Sequence, residues 1–301
     1  EVKKVFFNMS MTNGVAHGVE IYSKKLSELI VEQPPYIYIH LYLKKVKLLS
    51  FYRLFWNFFI MPFKVGNNLI YSFSSHGSPF LSNQIITIHD LICLEFPKQH
   101  RFQYYYFKYL VPFILKSCKH IVAISEFTKS EILKFYDIPK DKISVIHNGA
   151  NIINYNPSES IENKIAEITK NRPFFITVGA AYSHKNMFRL IEAVELLNNK
   201  EIVFLIVGKK NEYLQSVENF ASGKNLDQVK FLNYVDDNLL AGLYAKAIAN
   251  IYLSLYEGFG FPPLEAASVG SLSIVSDIPV MREIYADSVK YVNPLNINDI
   301  A

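Results

Sequence analysis

Cysteine is almost missing from this chain: Cys93 and Cys118 are the only two in 301 residues. They can build neither a disulfide framework nor a cysteine-rich metal site, and two buried thiols in a reducing cytosol is the reading that fits. An excess of one charge is missing as well. The 31 basic residues stand against 27 acidic ones, a net charge of +4. That balance argues against a nucleic-acid binder but tolerates an anionic ligand or a membrane surface. Long hydrophobic runs are also lacking. The nearest, 48–65, is broken by Arg53, Asn57 and Pro62 and falls short of a membrane span. The start, Lys3-Lys4-Val5-Phe6-Phe7, leads straight into a strand pattern, so no signal peptide is expected and the Asn8-Met9-Ser10 sequon is discounted. There is no P-loop, no H-E-x-x-H, no Gly-x-Ser-x-Gly elbow and no G-x-G-x-x-G fingerprint. No Asp-x-Asp pair offers ligands to a metal either.

What is present is apolar. Half of the residues are hydrophobic and 15% are aromatic, enough to bury the cores of two ordinary domains. Strand-like runs alternate with helical patterns along the whole chain, which predicts parallel α/β architecture. In the first half strands are expected near 3–8, 36–43, 68–74, 84–89, 120–125 and 142–147, with helices near 18–31, 48–62, 101–117 and 126–136. In the second half strands are expected near 173–179, 202–208, 229–234, 249–255, 272–276 and 289–292. Helices there fall near 186–198, 211–222, 236–247, 262–269 and 280–285. Residues 151–172 are polar, contain Asn-Pro-Ser and read as a linker holding a short helix near 159–169. The expected domains are therefore 1–150 and 173–301. The helix near 48–62 follows Lys44, Lys45 and Lys47 and carries Phe51, Tyr52, Phe55, Trp56, Phe58 and Phe59. It reads either as an amphipathic helix on a membrane surface or as a core helix flanked by solvated lysines.

The most informative stretch is Tyr256-Glu257-Gly258-Phe259-Gly260-Phe261-Pro262-Pro263-Leu264-Glu265. A buried strand pattern precedes it and a helix pattern follows. Pro262 or Pro263 suits a first helical turn, where a missing N–H costs little. The glycines let backbone N–H groups approach a ligand, and a helix N-terminus carries partial positive charge. Such a site wants an anion, most simply a phosphate. Glu257 and Glu265 flank it, eight positions apart, and carboxylates accept hydrogen bonds from hydroxyls instead. A helix-dipole role would account for Glu265 but not for Glu257 or the paired glycines. Phosphate and polyol together point to a sugar nucleotide.

That stretch resembles the E-x7-E signature of the retaining glycosyltransferases of family 4. The likeness implies the GT-B fold: two Rossmann-like, doubly wound parallel-sheet domains whose strand C-terminal ends face a central cleft. The resemblance runs from the Gly14–Gly18 loop to Val292-Asn293-Pro294. Asn13-Gly14-Val15-Ala16-His17-Gly18 is similar to the family's N-terminal glycine loop, which implies contact with the acceptor and the diphosphate. His89, in Ile88-His89-Asp90-Leu91, matches a histidine that sits near the reacting sugar. Ser125-Glu126 is shared with the family, Ser125 also reading as a helix N-cap, and His147-Asn148-Gly149 resembles a Pro-Asn-Gly with the proline replaced. Val178-Gly179-Ala180-Ala181-Tyr182-Ser183-His184-Lys185-Asn186 resembles the loop that gives basic groups to the donor diphosphate. Lys185 matches the family lysine, but Ala180 or His184 stands where relatives carry arginine, so one fixed charge is lost or made titratable. The sequence also ends at Ala301, before further helices with which relatives continue, so a truncated form or a fragment is expected.

The resemblance implies transfer of a hexose from a nucleotide diphosphate sugar, GDP- or UDP-linked, to a glycan or lipid-linked hydroxyl acceptor, with retention. Wording close to mannosyltransferases implies mannose and bacterial surface polysaccharide assembly. Glu257, His89 and Lys185 are the expected catalytic residues. The donor site is expected to comprise Gly179, Lys185, Asn186, Glu257, Gly258, Phe259, Gly260, Phe261 and Glu265. Lys185 and the N–H groups near Phe259, Gly260 and Phe261 would hold the diphosphate, Glu257 the hexose and Glu265, read as a first-turn residue, the ribose. No metal and no cofactor are expected, no nucleic acid is a partner, and the setting is cytoplasmic with peripheral contact at the inner membrane face. A GT-B-shaped nucleotide-sugar epimerase and a catalytically weak regulatory subunit are the alternatives.

Overall fold

Runs rich in Val, Ile and Phe that alternate with helices must bury both faces of a sheet, and in the computed structural model they do. The structure describes residues 3–12, 17–30, 34–43, 49–150 and 152–301; Gly14 and the lysines at 44, 45 and 47 lie outside them. The chain divides into two units, Glu1–His147 and Asn148–Ala301.

Among the described residues of the first unit, six strands form one parallel sheet. They are β1 (Lys3–Asn8), β2 (Tyr36–Leu41), β3 (Leu69–Ser72), β4 (Gln84–Ile88), β5 (His120–Ala123) and β6 (Ile143–Val145), in the order β2-β1-β3-β4-β5-β6. The second unit holds β7 (Phe174–Val178), β8 (Val203–Val207), β9 (Val229–Leu232), β10 (Asn250–Tyr252), β11 (Ser273–Ser276) and β12 (Lys290–Val292), in the order β12-β11-β10-β7-β8-β9. Each first strand is flanked by strands reached in opposite directions: β1 by β2 and β3, β7 by β8 and β10. Doubly wound sheets open a ligand crevice at such a switch point, beyond the strands' carboxyl ends.

The helices start where the sequence supplies caps. Ser125 accepts a hydrogen bond from Thr128 N (3.0 Å), Asn211 from Leu214 N (2.8 Å) and Asp236 from Leu239 N (2.9 Å), each satisfying an otherwise orphaned donor. Two helices expected to be continuous are not regular. Leu49–Phe55 widens into a π-helical turn at Trp56–Ile60 before Met61–Val65, and Arg101–Tyr105 does the same at Tyr106–Leu110 before Val111–Ser117. Pro62 and Pro112 explain both. Proline removes one N–H and crowds the preceding turn, and a π bulge relieves that strain.

The stretch read as a linker is built into the second unit. Its helix, Glu159–Thr169, is capped by Ser158, whose hydroxyl accepts from Ile161 N (3.3 Å). Ile165 and Thr169 are buried, and Ile165 joins a core with Phe174, Ile176, Leu205, Leu243 and Tyr244. Gly242 makes this possible: a Cβ there would lie 2.9 Å from Ile161 Cγ2, so only glycine lets the two helices approach so closely. Polar composition suggested a linker because one amphipathic face is all that this helix buries.

Ile165→Ala should therefore destabilise the second unit by about 2–5 kcal/mol, the usual cost of a large-to-small core change. Urea unfolding checks it; a helix loose in a linker would show almost no loss.

Candidate active site

The switch point of the second sheet brings together two loops far apart in sequence. Residues 179–186 follow β7 and residues 253–260 follow β10. Leu255 N donates to His184 O (2.7 Å) and ties one loop to the other. The first loop leaves its strand at Gly179, with φ +80°, a conformation that glycine adopts without penalty. It then forms a short turn, Ser183–Lys185, and stops at Asn186, itself left-handed. Asn186 is fixed by donating to Pro294 O (2.7 Å) and accepting from Arg189 Nη1 (2.9 Å). Helix Met187–Leu197 begins immediately after, so Lys185 is held between two fixed points.

Lys185 Nζ donates to Glu257 Oε1 and to the Tyr252 hydroxyl (3.0 Å). Tyr252 in turn donates to Glu257 Oε1 (2.7 Å), and the ammonium lies 5.0 Å from the centre of its ring. The Lys185 and Glu257 side chains are each 14% exposed, dry enough for strong attraction yet reachable by a ligand. Burial opposes the Glu257 charge, but Lys185 and then His184 outweigh it and hold the carboxyl below its ordinary value. Burial and the Glu257 charge push the Tyr252 phenol well above its own, so it stays a neutral donor. Ala180 is 1% exposed and packs in the core beside Leu214, and a Cβ on Gly208 would meet its backbone N at 3.2 Å. A buried methyl thus stands where the family resemblance led one to look for a charge. His184 is buried and stacks on Tyr182, the ring centres 5.6 Å apart.

The second loop ends at Gly260, with φ +91°, where a Cβ would strike Met281 Cε at 2.8 Å. Its carbonyl accepts from the Tyr285 hydroxyl. Helix Phe261–Ser268 starts there, with the two prolines in its first turn. Gly258 and Phe259 are buried, and the Phe259 and Phe261 rings are 5.2 Å apart. Glu265 is the fifth helical residue, one position past the first turn expected from sequence, because the helix opens at Phe261. Burial, then the Asp237 charge, push its carboxyl above the ordinary value.

The structure thus gathers Gly179, Lys185, Asn186 and residues 257–261 at one sheet edge, with Glu265 on the adjoining helix. His89 lies in the first unit at the end of β4. Its Nε2 is 2.8 Å from Phe73 O, and its ring meets Tyr22 edge-on at 4.8 Å. Burial lowers its pKa, against the Phe73 contact. Asp90 accepts from Ile92 N (3.0 Å). Gly18 is exposed on helix His17–Leu29, and Gly14 lies outside the described residues. Tyr252 is the functional side chain that sequence reasoning missed; its place as the last residue of the strand before the loop was the available signal.

Residues 158–301 match the family description "Glycosyl transferases group 1", and residues 74–152 match "Glycosyltransferase Family 4". The chain is 35% identical over 232 residues, 77% of its length, to the O-antigen chain mannosyltransferase RfbU of Salmonella typhimurium. It spans 62% of that relative's own length. Among solved structures it resembles a sucrose-phosphate synthase from Thermosynechococcus elongatus, with a TM-score of 0.72 and 17% identity, covering 99% of this chain and 88% of that one. Anabaena HepE, solved with UDP and glucose, gives 0.70 and 16%, covering 100% and 88%. At such identities these two likenesses speak for the fold alone.

The two carboxyls should give stability opposite pH dependences. A depressed folded pKa stabilises above the ordinary value of 4.5 and loses that contribution as pH falls through the folded value. A raised pKa penalises the fold once pH rises above 4.5. At pH 7 Glu257→Gln should therefore melt below the parent and Glu265→Gln at or above it, both differences shrinking as pH drops below about 4.5. Melting curves from acid to neutral pH check this; equal losses for both would contradict the assignment.

Proposed function

Because the chain belongs to the glycosyltransferases of group 1 and family 4, with the GT-B fold, we propose that it moves a hexose from a nucleotide diphosphate sugar to a hydroxyl acceptor, with retention at the anomeric carbon. The observation that carries this is the Lys185–Tyr252–Glu257 cluster at the second sheet's switch point. Lys185 and the N–H groups opening helix Phe261–Ser268 meet the diphosphate and steady the charge that grows on it as the sugar leaves. Glu257 holds hexose hydroxyls and Glu265 the ribose. His89 is the candidate catalytic residue of the first unit. No metal is needed, since fixed cations and backbone dipoles supply the positive field. The donor sugar is mannose, supported by the likeness to an O-antigen mannosyltransferase, and the acceptor is a glycan or a lipid-linked glycan. The matched relatives are transferases, which weighs against an epimerase, and the assembled cluster weighs against an inert subunit.

A nucleoside diphosphate should protect amides at 179–186 and 257–265 from hydrogen exchange, and transfer should persist in EDTA. Protection confined to residues before 150, or transfer lost in EDTA and restored by manganese, would sink this reading.

The proposal places the protein in the cytoplasm, against the inner membrane face. No helix among the described residues is long and apolar enough to cross a membrane. Phe6 pairs with Ile70 and Ser72 with Ile86 in the first sheet. By strand alternation, the helices packed on Phe6 and Ile70 and on Ile86 and Ile88 therefore cover the same face. Their outer sides expose Phe51, Phe55, Phe59 and Phe63 on one helix and Phe102, Tyr105, Tyr109 and Phe113 on the other. Phe63 and Phe102 are 89% and 86% exposed. Between positions 34 and 125 ten Lys or Arg face two acids, Asp90 and Glu95, which suits an anionic bilayer. The sequence left this helix as either membrane-facing or core; its inner face is core and its outer face is bare aromatic. Sedimentation with vesicles containing acidic lipid should capture the protein, less so at high salt. The Phe59→Ser/Tyr109→Ser double variant should be captured several-fold less; unchanged capture would refute the contact.

A further inference from the structure

The inner side of the same helix carries the least expected charge in the first unit. Arg53 is 4% exposed. Its Nε donates to Ser10 O (3.1 Å), while its Nη2 is buried without a partner. One turn on, Asn57 donates to Arg53 O (2.8 Å) and accepts from Asn8 Nδ2 (2.9 Å). Asn8 also reaches Ser72 Oγ (3.0 Å) and His76 O (2.7 Å), and its Oδ1 accepts from Ser10 N (3.1 Å). These groups gather at the carboxyl ends of β1 and β3, the switch point of the first sheet.

The described groups bonded into this cluster are neutral. Burial and the Arg53 charge lower the His76 pKa to about 3, so His76 adds no charge. Its ring stacks on Tyr106 at 5.2 Å, and the Tyr106 hydroxyl donates to Ser75 O (2.9 Å). No acid occurs in the sequence between Glu32 and Asp90, and Asp90 accepts from Ile92 N. A guanidinium does not shed its proton under any ordinary condition, and an uncompensated buried cation is among the least favourable things a fold can hold. Among the described residues no carboxylate bonds to Arg53, which leaves the counter-charge to a ligand. A planar guanidinium edge matches phosphoryl oxygens closely, and Ser10 and Thr12 lead directly into the Gly14–Gly18 loop.

We propose that Arg53 is an anion anchor in the first unit, binding a phosphoryl group carried by the acceptor through its free Nη2 edge. This rests on the glycosyl-transfer reading above and adds a requirement to it: the acceptor bears a phosphate or diphosphate. A free inorganic anion shares that chemistry, and the experiment separates the two.

Transfer by the full chain is measured to a polyisoprenyl-diphosphate-linked sugar and to the same sugar as an uncharged glycoside. Arg53→Gln should raise KM for the phosphorylated acceptor about ten- to hundred-fold, the effect of losing a charge-assisted hydrogen bond. KM for the donor and for the uncharged glycoside should stay unchanged, and Arg53→Lys should restore part of the loss. Equal changes for both acceptors, or no change for either, would overturn the proposal. A readout independent of turnover guards against failure of the glycosyl-transfer reading itself. Inorganic diphosphate should raise the melting temperature of Lys185→Met protein and cease to do so when Arg53→Gln is added; a rise that persists overturns the anchor. A rise that depends on Arg53, with acceptor KM unmoved by Arg53→Gln, assigns the site to a free anion and overturns the acceptor assignment. Arg53→Gln alone should not lower the melting temperature, since it removes an unpaired charge; a marked drop would mark a structural role instead.

Discussion

The buried pair of Lys185 and Glu257 is the constraint around which the second unit is arranged. Either charge alone would be costly in so sheltered a place, and they meet only because two loops from different strands are held together. The sheet order does the coarse work by setting β7 beside β10. The fine work falls to small contacts: the Leu255–His184 backbone bond, the left-handed Asn186, and Gly260 wedged against Met281. Tyr252 completes the arrangement by offering its hydroxyl to both charges.

The first unit uses the same winding for a different balance of charge. At its switch point stand asparagines, serines and one arginine rather than a cation–carboxylate pair. In the second unit the cation meets a carboxylate, whereas in the first Arg53 Nη2 is buried with no partner among the described residues. Its surface repeats that theme. Two proline-bulged helices present aromatic rings in matching positions about Pro62 and Pro112, on a segment that holds most of the chain's excess positive charge.

Much of the architecture was legible in advance because parallel strands buried on both faces leave unbroken apolar runs, such as Val203–Val207. Caps such as Ser125 announce helix starts by their chemistry. Glu257, Lys185 and the glycines near them were legible because a glycine-rich turn between a strand and a helix has few other uses. Helix Glu159–Thr169 was foreseen, but its docking was not, since only the closeness permitted by Gly242 reveals it. Glu265 lies one residue deeper in its helix than expected, because the helix opens at Phe261 and not at Pro262.

By itself the sequence determined the doubly wound α/β class, the order of elements, the strand–glycine–helix segment with its two glutamates, and the lysine opposite. Those are local properties: periodicity, propensity and turn chemistry act over a few residues. Tertiary structure alone decided that Tyr252, an ordinary strand residue in sequence, bridges Lys185 and Glu257, and that Phe51, Phe55, Phe59 and Phe63 face outward while Arg53 faces in. It also decided that Ala180 fills core where a charge was looked for. Each of these depends on which way a side chain points and on what a distant segment places in front of it, and neither is set by neighbours along the chain.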